Sequence, residues 1–387
     1  MSSMVLKDLY YFHIPTKLVI GCGAASQVAT EAKELSILHP LIVTDPGVRN
    51  AGIVDKVLGP LSEVGLSYSI FDGVEPNPKV STVVNGVEVY QKEQCDGLIS
   101  VGGGSPIDSA KAIGILATHT GSIMDYAGFG KVKSPIPPHI AVPTTYGTGT
   151  EVTNASMITD SDRSLKTGIS SRFLFPNVAV IDPEMALSLP QSIGASTGMD
   201  ALTHGIESYV SIKAQPITEG ISLHAIRLVS ENLTKAVAGD LEAISYMIIA
   251  SAMTGFCFSY TRTAAVHGIA HTLGGHFDVP HGIANAILLP HVMEFSLEAC
   301  PEKYMEVAKA MGEKIEGLSP KEAAQRSVEF VNRLLRDLGL PTRLRDIGCD
   351  KKKFPQVVED TMKTGNILVN PRRVTGDDVL ELLTRAY

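Results

Sequence analysis

From Lys17 to about Asp182 the apolar positions fall in short β-branched runs separated by longer stretches of helical spacing. "KLVIG", "HPLIVTD", "SYSIFDG", "DGLISVGGG", "HIAVPTT" and "NVAVID" are the predicted strands. Leu98-Ile99-Ser100-Val101 is close to continuously apolar, the pattern of a parallel strand covered by helices on both faces. Residues 1–185 are therefore expected to form an α/β dinucleotide-binding domain with a doubly wound, mainly parallel sheet.

Beyond Pro183 those runs stop and apolar residues recur every three or four positions. "PKEAAQRSVEFVNRLLRDLG" is a helix with marked ends: Ser319 caps it with Glu322 three residues on, Pro320 suits its first position, and Gly339 followed by Pro341 stops it. Residues 186–387 are expected to be an all-α domain. "YMIIASAMTGFCF", from Tyr246 to Phe258, is shorter than the roughly 20 apolar residues that cross a bilayer and is expected as a buried helix. No repeat at solenoid period and no low-complexity tract interrupts either half.

Composition narrows the class. A chain of 387 residues with 44% hydrophobic and 19% charged residues is long enough for two cores and reads as a compact soluble protein. Its net charge of -8, with no basic stripe, excludes a nucleic-acid surface. Cys22, Cys95, Cys257, Cys300 and Cys349 are scattered and form no CxxC pair, so neither a disulfide framework nor a thiolate zinc site is expected. The opening residues lack a signal-peptide pattern, and the expected location is the cytoplasm, with no membrane partner.

"ISVGGGSPIDSAKAIG" sets Gly102, Gly103 and Gly104 between a predicted strand and a predicted helix. Ser105 is expected as the cap, Pro106 as the first helical residue and Asp108 as the closing member of a capping box. Glycines let an anion approach the free N–H groups of that helix, where the dipole adds about half a positive charge, so a diphosphate is expected there. GxGxxG fails at Ile107 and GxxxxGK[ST] is absent, which argues against a P-loop nucleotidase. Asp45 ends the strand "LIVTD", where a carboxylate accepts bonds from ribose hydroxyls and repels a 2′-phosphate, favouring NAD over NADP. The plainer alternative is a turn aspartate before Pro46-Gly47.

"HGIAHTLGGHFDVPH" holds four of the eleven histidines, His267, His271, His276 and His281. Asp200 with His204, and His267 with His271, are i, i+4 pairs that share one helical face. An HExxH zinc-protease site fails because Gly268 stands in place of the glutamate. One carboxylate and several imidazoles suit Fe(II) or Zn(II), with His281 arriving from beyond Gly274 and Gly275. Each residue alone is an ordinary polar side chain. Burying so many without a shared partner would be costly, and that favours a site.

"FDGVEPNP", "GGGSPIDSAKAIG", "PTTYGTGTEVTNASMITD", "STGMDALTHGIESYV" and "HGIAHTLGGHFDVPHGIANAILLPHVM" resemble, in order and over nearly the whole chain, the signatures of the iron-containing, or group III, alcohol dehydrogenases. The resemblance implies NAD- and metal-dependent oxidation of a short-chain primary alcohol or diol, and the reverse aldehyde reduction, by a homo-oligomer. It implies metal ligation by Asp200, His204, His267 and His281, with Fe(II) expected before Zn(II). His271 would lie beside the metal and relay protons, and His276 would do neither. Gly103, Gly104 and Ser105 would hold the pyrophosphate, Thr144, Thr145 and Thr148 would line the cofactor, and Lys166 would reach its ribose.

One segment departs from the family. In "CFSYTRTAAVHG" relatives carry small or apolar residues such as Gly, Asn and Leu, where this chain has Arg262 and Thr263. If that segment, with Phe258, lines the substrate pocket, the guanidinium would pair with a carboxylate or sulfonate and the substrate would be a short anion. The alternative is an arginine turned to solvent. Two rival classes are a lyase like dehydroquinate synthase, which needs a basic cluster absent from the metal motifs, and a non-catalytic assembly protein, which would have little use for four ligands.

Overall fold

The computed structural model describes residues 9–160 and 165–387. All six predicted runs are strands of one parallel sheet: β1 (Lys17–Ile20), β2 (Pro40–Val43), β3 (Ser69–Phe71), β4 (Gly97–Gly102), β6 (His139–Pro143) and β9 (Val178–Ile181), in the order β1-β9-β6-β4-β2-β3. Helices α1 (Val28–Glu34) and α3 (Asp55–Glu63) cover one face, and α4 (Val80–Lys92) and α5 (Gly104–Thr118) the other. Strand alternation serves both layers. Leu41 and Val43 of β2 point into one core and Ile42 into the other, which is why the run is apolar throughout.

A second, three-stranded sheet was not predicted. It joins β5 (Gly128–Phe129), β8 (Leu165–Ser170) and β7 (Ala155–Asp160) in the order β5-β8-β7, with β7 and β8 antiparallel and Thr159 opposite Lys166. Its β7 sequence, "ASMITD", alternates half-buried and buried residues and carries few large apolar side chains, so it lacks the signature of a buried strand.

The expected capping box at the glycine loop does not form. Helix α5 begins at Gly104 with Gly103 as its cap and no side-chain cap bond, so Ser105 is its second residue. Asp108 faces away from the helix end. Its Oδ1 accepts from Thr150 Oγ1 at 2.6 Å and its Oδ2 from the Met157 amide at 3.1 Å. The first-turn amides of α5 therefore have no side chain competing for them, which suits an anion better than a capped end would.

The second half is helical: α6 (Gln191–Val210), α7 (Pro216–Val237), α8 (Leu241–Thr261), α9 (Ala265–Phe277), α10 (His281–Ser296), α11 (Pro301–Ala310), α12 (Pro320–Asp337), α13 (Phe354–Thr361) and α14 (Gly376–Arg385), after a short α2 (Pro46–Asn50) in the first half. The capping box of α12 forms as expected, with Ser319 N donating to Glu322 Oε2 at 2.9 Å, and Gly339 closes it at φ 64°. Helix α8 is longer than its apolar run. Among the described residues it alone has the length and composition to cross a membrane, yet its Met247, Ile248, Ala250 and Cys257 lie buried and it packs on α6 and α7. The helical core also takes in Tyr146, Val152, Ala179 and Ile181 from the first half, so the two halves share apolar surface.

Candidate metal and cofactor site

Strand order reverses between β2 and β4, whose neighbours continue in opposite directions. In open α/β sheets ligands bind outside the carboxyl ends of the strands at such a point. Here those ends carry Asp45 and the loop Gly102–Gly104. Gly102 sits at φ +155°, and a Cβ there would meet Pro106 Cγ at 2.5 Å, so only glycine fits. Opposite lies the segment Thr144–Thr148. A Cβ on Gly103 or Gly104 would stand 3.1 Å from Thr145 Cγ2 or 2.9 Å from Thr148 Cγ2, and the Thr144 amide donates to Gly102 O at 3.0 Å. Asp45 takes the plainer of its expected roles, Oδ1 accepting from the Val48 amide at 2.9 Å to cap α2, while Oδ2 is turned towards Gly102. Lys166 Nζ donates to Asn77 Oδ1 at 3.3 Å. Burial draws its pKa down, against the pull of Asp108 and Asp200.

The metal-type donors come from three helices. Asp200 of α6 places Oδ1 3.4 Å from His267 Nε2 of α9 and 3.7 Å from His281 Nε2, at the first residue of α10. These three donor atoms all lie within 4.8 Å of one another. Between them reaches Asn285, one turn after His281. Its Nδ2 is 2.7 Å from Asp200 Oδ1 and 3.1 Å from each of His267 Nε2 and His281 Nε2, and its buried Oδ1 has no partner. Lone-pair atoms converging in this way, with one carboxylate and two imidazoles, are a donor set for a divalent cation such as iron or zinc.

His204, expected as a fourth ligand, stands apart from that cluster. Its ring is stacked between His267 and Phe258, with centroids 4.4 Å away on each side. Its Nδ1 donates to Gly147 O at 3.3 Å and lies 4.0 Å from Asp200 Oδ1, which leaves Nε2 as the lone-pair nitrogen. His271 stacks on His281 at 4.9 Å beside the cluster. His276 is turned away to Asp360 Oδ2 at 2.9 Å. Phe258 thus reaches the site through His204. Arg262 is exposed, and its guanidinium lies against Gly365, where a Cβ would come within 3.1 Å of Cζ.

Two participants escaped the sequence analysis. One is Asn285, four residues after His281. The other is Glu207, seven after Asp200 on the same face of α6, whose Oε2 accepts from His267 Nδ1 at 2.6 Å. The charges follow from these contacts. Burial lowers the pKa of His267, but the carboxylates of Glu207 and Asp200 outweigh it and push the group up to about 9. Burial holds His204 down at about 4 in spite of Asp200, and keeps His271 and His281 well below the usual imidazole value. Burial alone would raise Asp200, yet His204, His281 and His267 hold it well below the usual carboxylate range.

Residues 15–183 match the iron-containing alcohol dehydrogenase family, and residues 194–387 match the C-terminal domain of the Fe-containing alcohol dehydrogenase family. The chain belongs to the iron-containing alcohol dehydrogenases. It is 42% identical to the 1,3-propanediol dehydrogenase of Klebsiella pneumoniae over 98% of this chain and 99% of that one. It is 37% identical to the NAD-dependent methanol dehydrogenase of Bacillus methanolicus over 97% and 99% of the respective chains. A crystal structure of 1,3-propanediol oxidoreductase superposes with a TM-score of 0.96 at 42% identity, covering 98% of this chain and 100% of that one. The family resemblance and the expected fold are both confirmed, and the chain is an alcohol dehydrogenase. The lyase and assembly-protein alternatives find no support in these matches.

Proposed function

We propose that this dehydrogenase exchanges a hydride between NAD and a short, uncharged primary alcohol or diol, using a divalent cation, Fe(II) before Zn(II), held by Asp200, His267 and His281 with His204 as the further ligand. The observation that carries this reading is one loop touching both sites: Thr145 and Thr148 face Gly103 and Gly104, while Gly147 O, between them, holds His204. When bound, the cation supplies Lewis acidity to the alcohol or carbonyl oxygen, and the dinucleotide accepts or returns the hydride.

The chain supplies the rest. The Gly103–Ser105 amides at the uncapped start of α5 bind the pyrophosphate. Asp45 Oδ2 takes the ribose hydroxyls and repels a 2′-phosphate. Lys166, which bears electrostatically on Asp108, His271 and His281 alike, places a positive charge on the cofactor side. His271 is kept neutral, so its ring has a lone pair to take the proton that leaves the alcohol as the hydride leaves carbon. The guanidinium of Arg262 is turned to Gly365, and this favours a neutral substrate over an anionic one. Family membership supports a homo-oligomer at work in the cytoplasm.

The test is a substrate panel followed by NADH absorbance, with metal-free protein reloaded with Fe(II) or Zn(II). Metal-dependent turnover of 1,3-propanediol, faster than that of 4-hydroxybutyrate or isethionate and unaltered in balance by Arg262→Ala, is the expected result. Preference for the anions, lost in Arg262→Ala, would overturn the neutral-alcohol reading.

A further inference from the structure

We infer that Glu207 is a positioning residue for the metal centre: it sets the tautomer of His267 and fastens the junction between α8 and α9 from which that ligand projects. The inference rests on the metal reading above.

Asp200, His204 and Glu207 lie four and seven residues along α6 and share one face. Glu207 is only 3% exposed, and a carboxylate so buried needs donors. It has three, all at the start of α9. The Val266 amide donates to Oε1 at 2.7 Å, and the Ala264 amide and His267 Nδ1 donate to Oε2 at 2.9 and 2.6 Å. A carboxylate only accepts, so Nδ1 must carry a proton, and when the ring gives up its second proton Nε2 is the nitrogen left with a lone pair towards Asp200 and His281. The two amide bonds also satisfy a helix start that has no side-chain cap of its own.

The junction has particular need of such an anchor. Arg262 adopts φ 61°, ψ 167°, a region that is essentially glycine's and strained for any other residue. Such strain persists only where neighbours hold both sides. Helix α6 does this here: Ser211 Oγ donates to Thr261 O at 2.9 Å before the strained residue, and Glu207 holds Ala264 and Val266 after it.

Glu207→Gln keeps the shape but removes the charge and one of the two acceptor oxygens, so either the Val266 amide or the Ala264 amide with His267 Nδ1 is left facing an N–H, and the hold on the Nδ1–H form of His267 weakens. Co(II) uptake, measured by competition with a chromogenic chelator, should weaken by about 10- to 100-fold, with an altered Co(II) visible spectrum. NADH binding by the metal-free protein should be unchanged, showing that the fold and the glycine loop are intact. Adding Arg262→Gly to Glu207→Gln should raise the melting temperature without restoring Co(II) affinity, which separates ligand orientation from helix capping. That double variant also provides the measurement if the single one fails to fold. Wild-type Co(II) affinity in either protein overturns the proposal, as does recovery of affinity by Arg262→Gly. A wild-type chain that takes up no Co(II) overturns the metal reading itself, and the role of Glu207 with it.

Discussion

Each half of the molecule buries a cage of acceptor atoms, and the two are filled differently. In the sheet half Lys111 is fully buried, and its ammonium donates to the carbonyl oxygens of Thr150, Thr153 and Ala155 at 2.7, 3.0 and 2.8 Å and to both threonine hydroxyls at 3.1 Å. Burial lowers its pKa to about 8, and Asp108 and Glu151 oppose that. The helical half gathers Asp200, His267 and His281 around the neutral amide of Asn285. A cage filled by a lysine of the chain is structural; one of a carboxylate and imidazoles that can shed their protons is suited to a cation from solution. Buried histidines follow the same division. His139 of β6 meets Ser100 Oγ at 2.7 Å and, among the described residues, no carboxylate, and burial presses it down to about 3, whereas His267 between two carboxylates is pushed up to about 9. Burial is common to both, and the partner decides the charge.

The largest effects should come from breaking the open cage. His267→Ala or His281→Ala is expected to abolish bound metal and activity, while His276→Ala, paired with Asp360, should leave metal content intact. Full metal occupancy in His267→Ala would remove the assignment. Lys111→Met breaks the closed cage instead. It leaves several buried oxygens and Asp108 uncompensated, so thermal or denaturant unfolding should show a loss of about 3–5 kcal/mol. A chelator should neither mimic nor deepen that loss.

The two histidines give limbs of opposite sign in stability against pH. Because the folded pKa of His139 lies below its ordinary 6.5, its contribution is present above pH 6.5 and is lost as pH falls from 6.5 towards 3, by about 1.4 kcal/mol per pH unit. His139→Gln should flatten that acid limb. The raised His267 contributes to the metal-free protein below pH 6.5 and loses that contribution as pH rises through about 9. Metal loading requires its deprotonated form and should erase the alkaline limb, while it steepens the acid limb as His204 and His281, also held low by burial, are protonated. Denaturant midpoints from pH 4 to 10, with and without metal, check both, and the difference made by His139→Gln in the metal-free protein isolates its own share. An alkaline limb that survived metal loading would break the contrast.

The smallest expected effect is in cofactor choice. Asp45→Gly should shift preference towards NADP by roughly tenfold, about 1.4 kcal/mol. The loss of the α2 cap should cost only a few tenths of a kcal/mol. Equal use of NADP and NAD by the unaltered enzyme would contradict the role given to Asp45.

Much was legible in the chain because it is local. The six sheet strands announce themselves by apolar runs with no polar face, since both faces are covered, and α12 by a capping box within four residues. Asp200, His267 and His281 stand out by helical spacing and by density among apolar flanks. What failed to show depends on partners distant in sequence. Asp108 has the right offset from Ser105 for a cap, yet its partners Thr150 and Met157 are 42 and 49 residues on, and they draw it away from the helix end. Strands β7 and β8 pair across a half-wet surface and carry no apolar run. Glu207 and Asn285 look like any helical polar residues until α6, α9 and α10 pack together.

By itself the sequence determined the six strands of the parallel sheet and the helical second half, where a phosphate-type loop follows a strand, and which residue types gather for a metal. Only the tertiary structure decided that three helices bring one carboxylate oxygen and two ring nitrogens within 4.8 Å of each other, that Glu207 chooses the ring nitrogen left free on His267, and that Arg262 faces Gly365. The reason is physical. Periodicity and capping act over one or two turns of chain, whereas ligand convergence and tautomer depend on distances of a few ångströms between segments dozens of residues apart, which only packing sets.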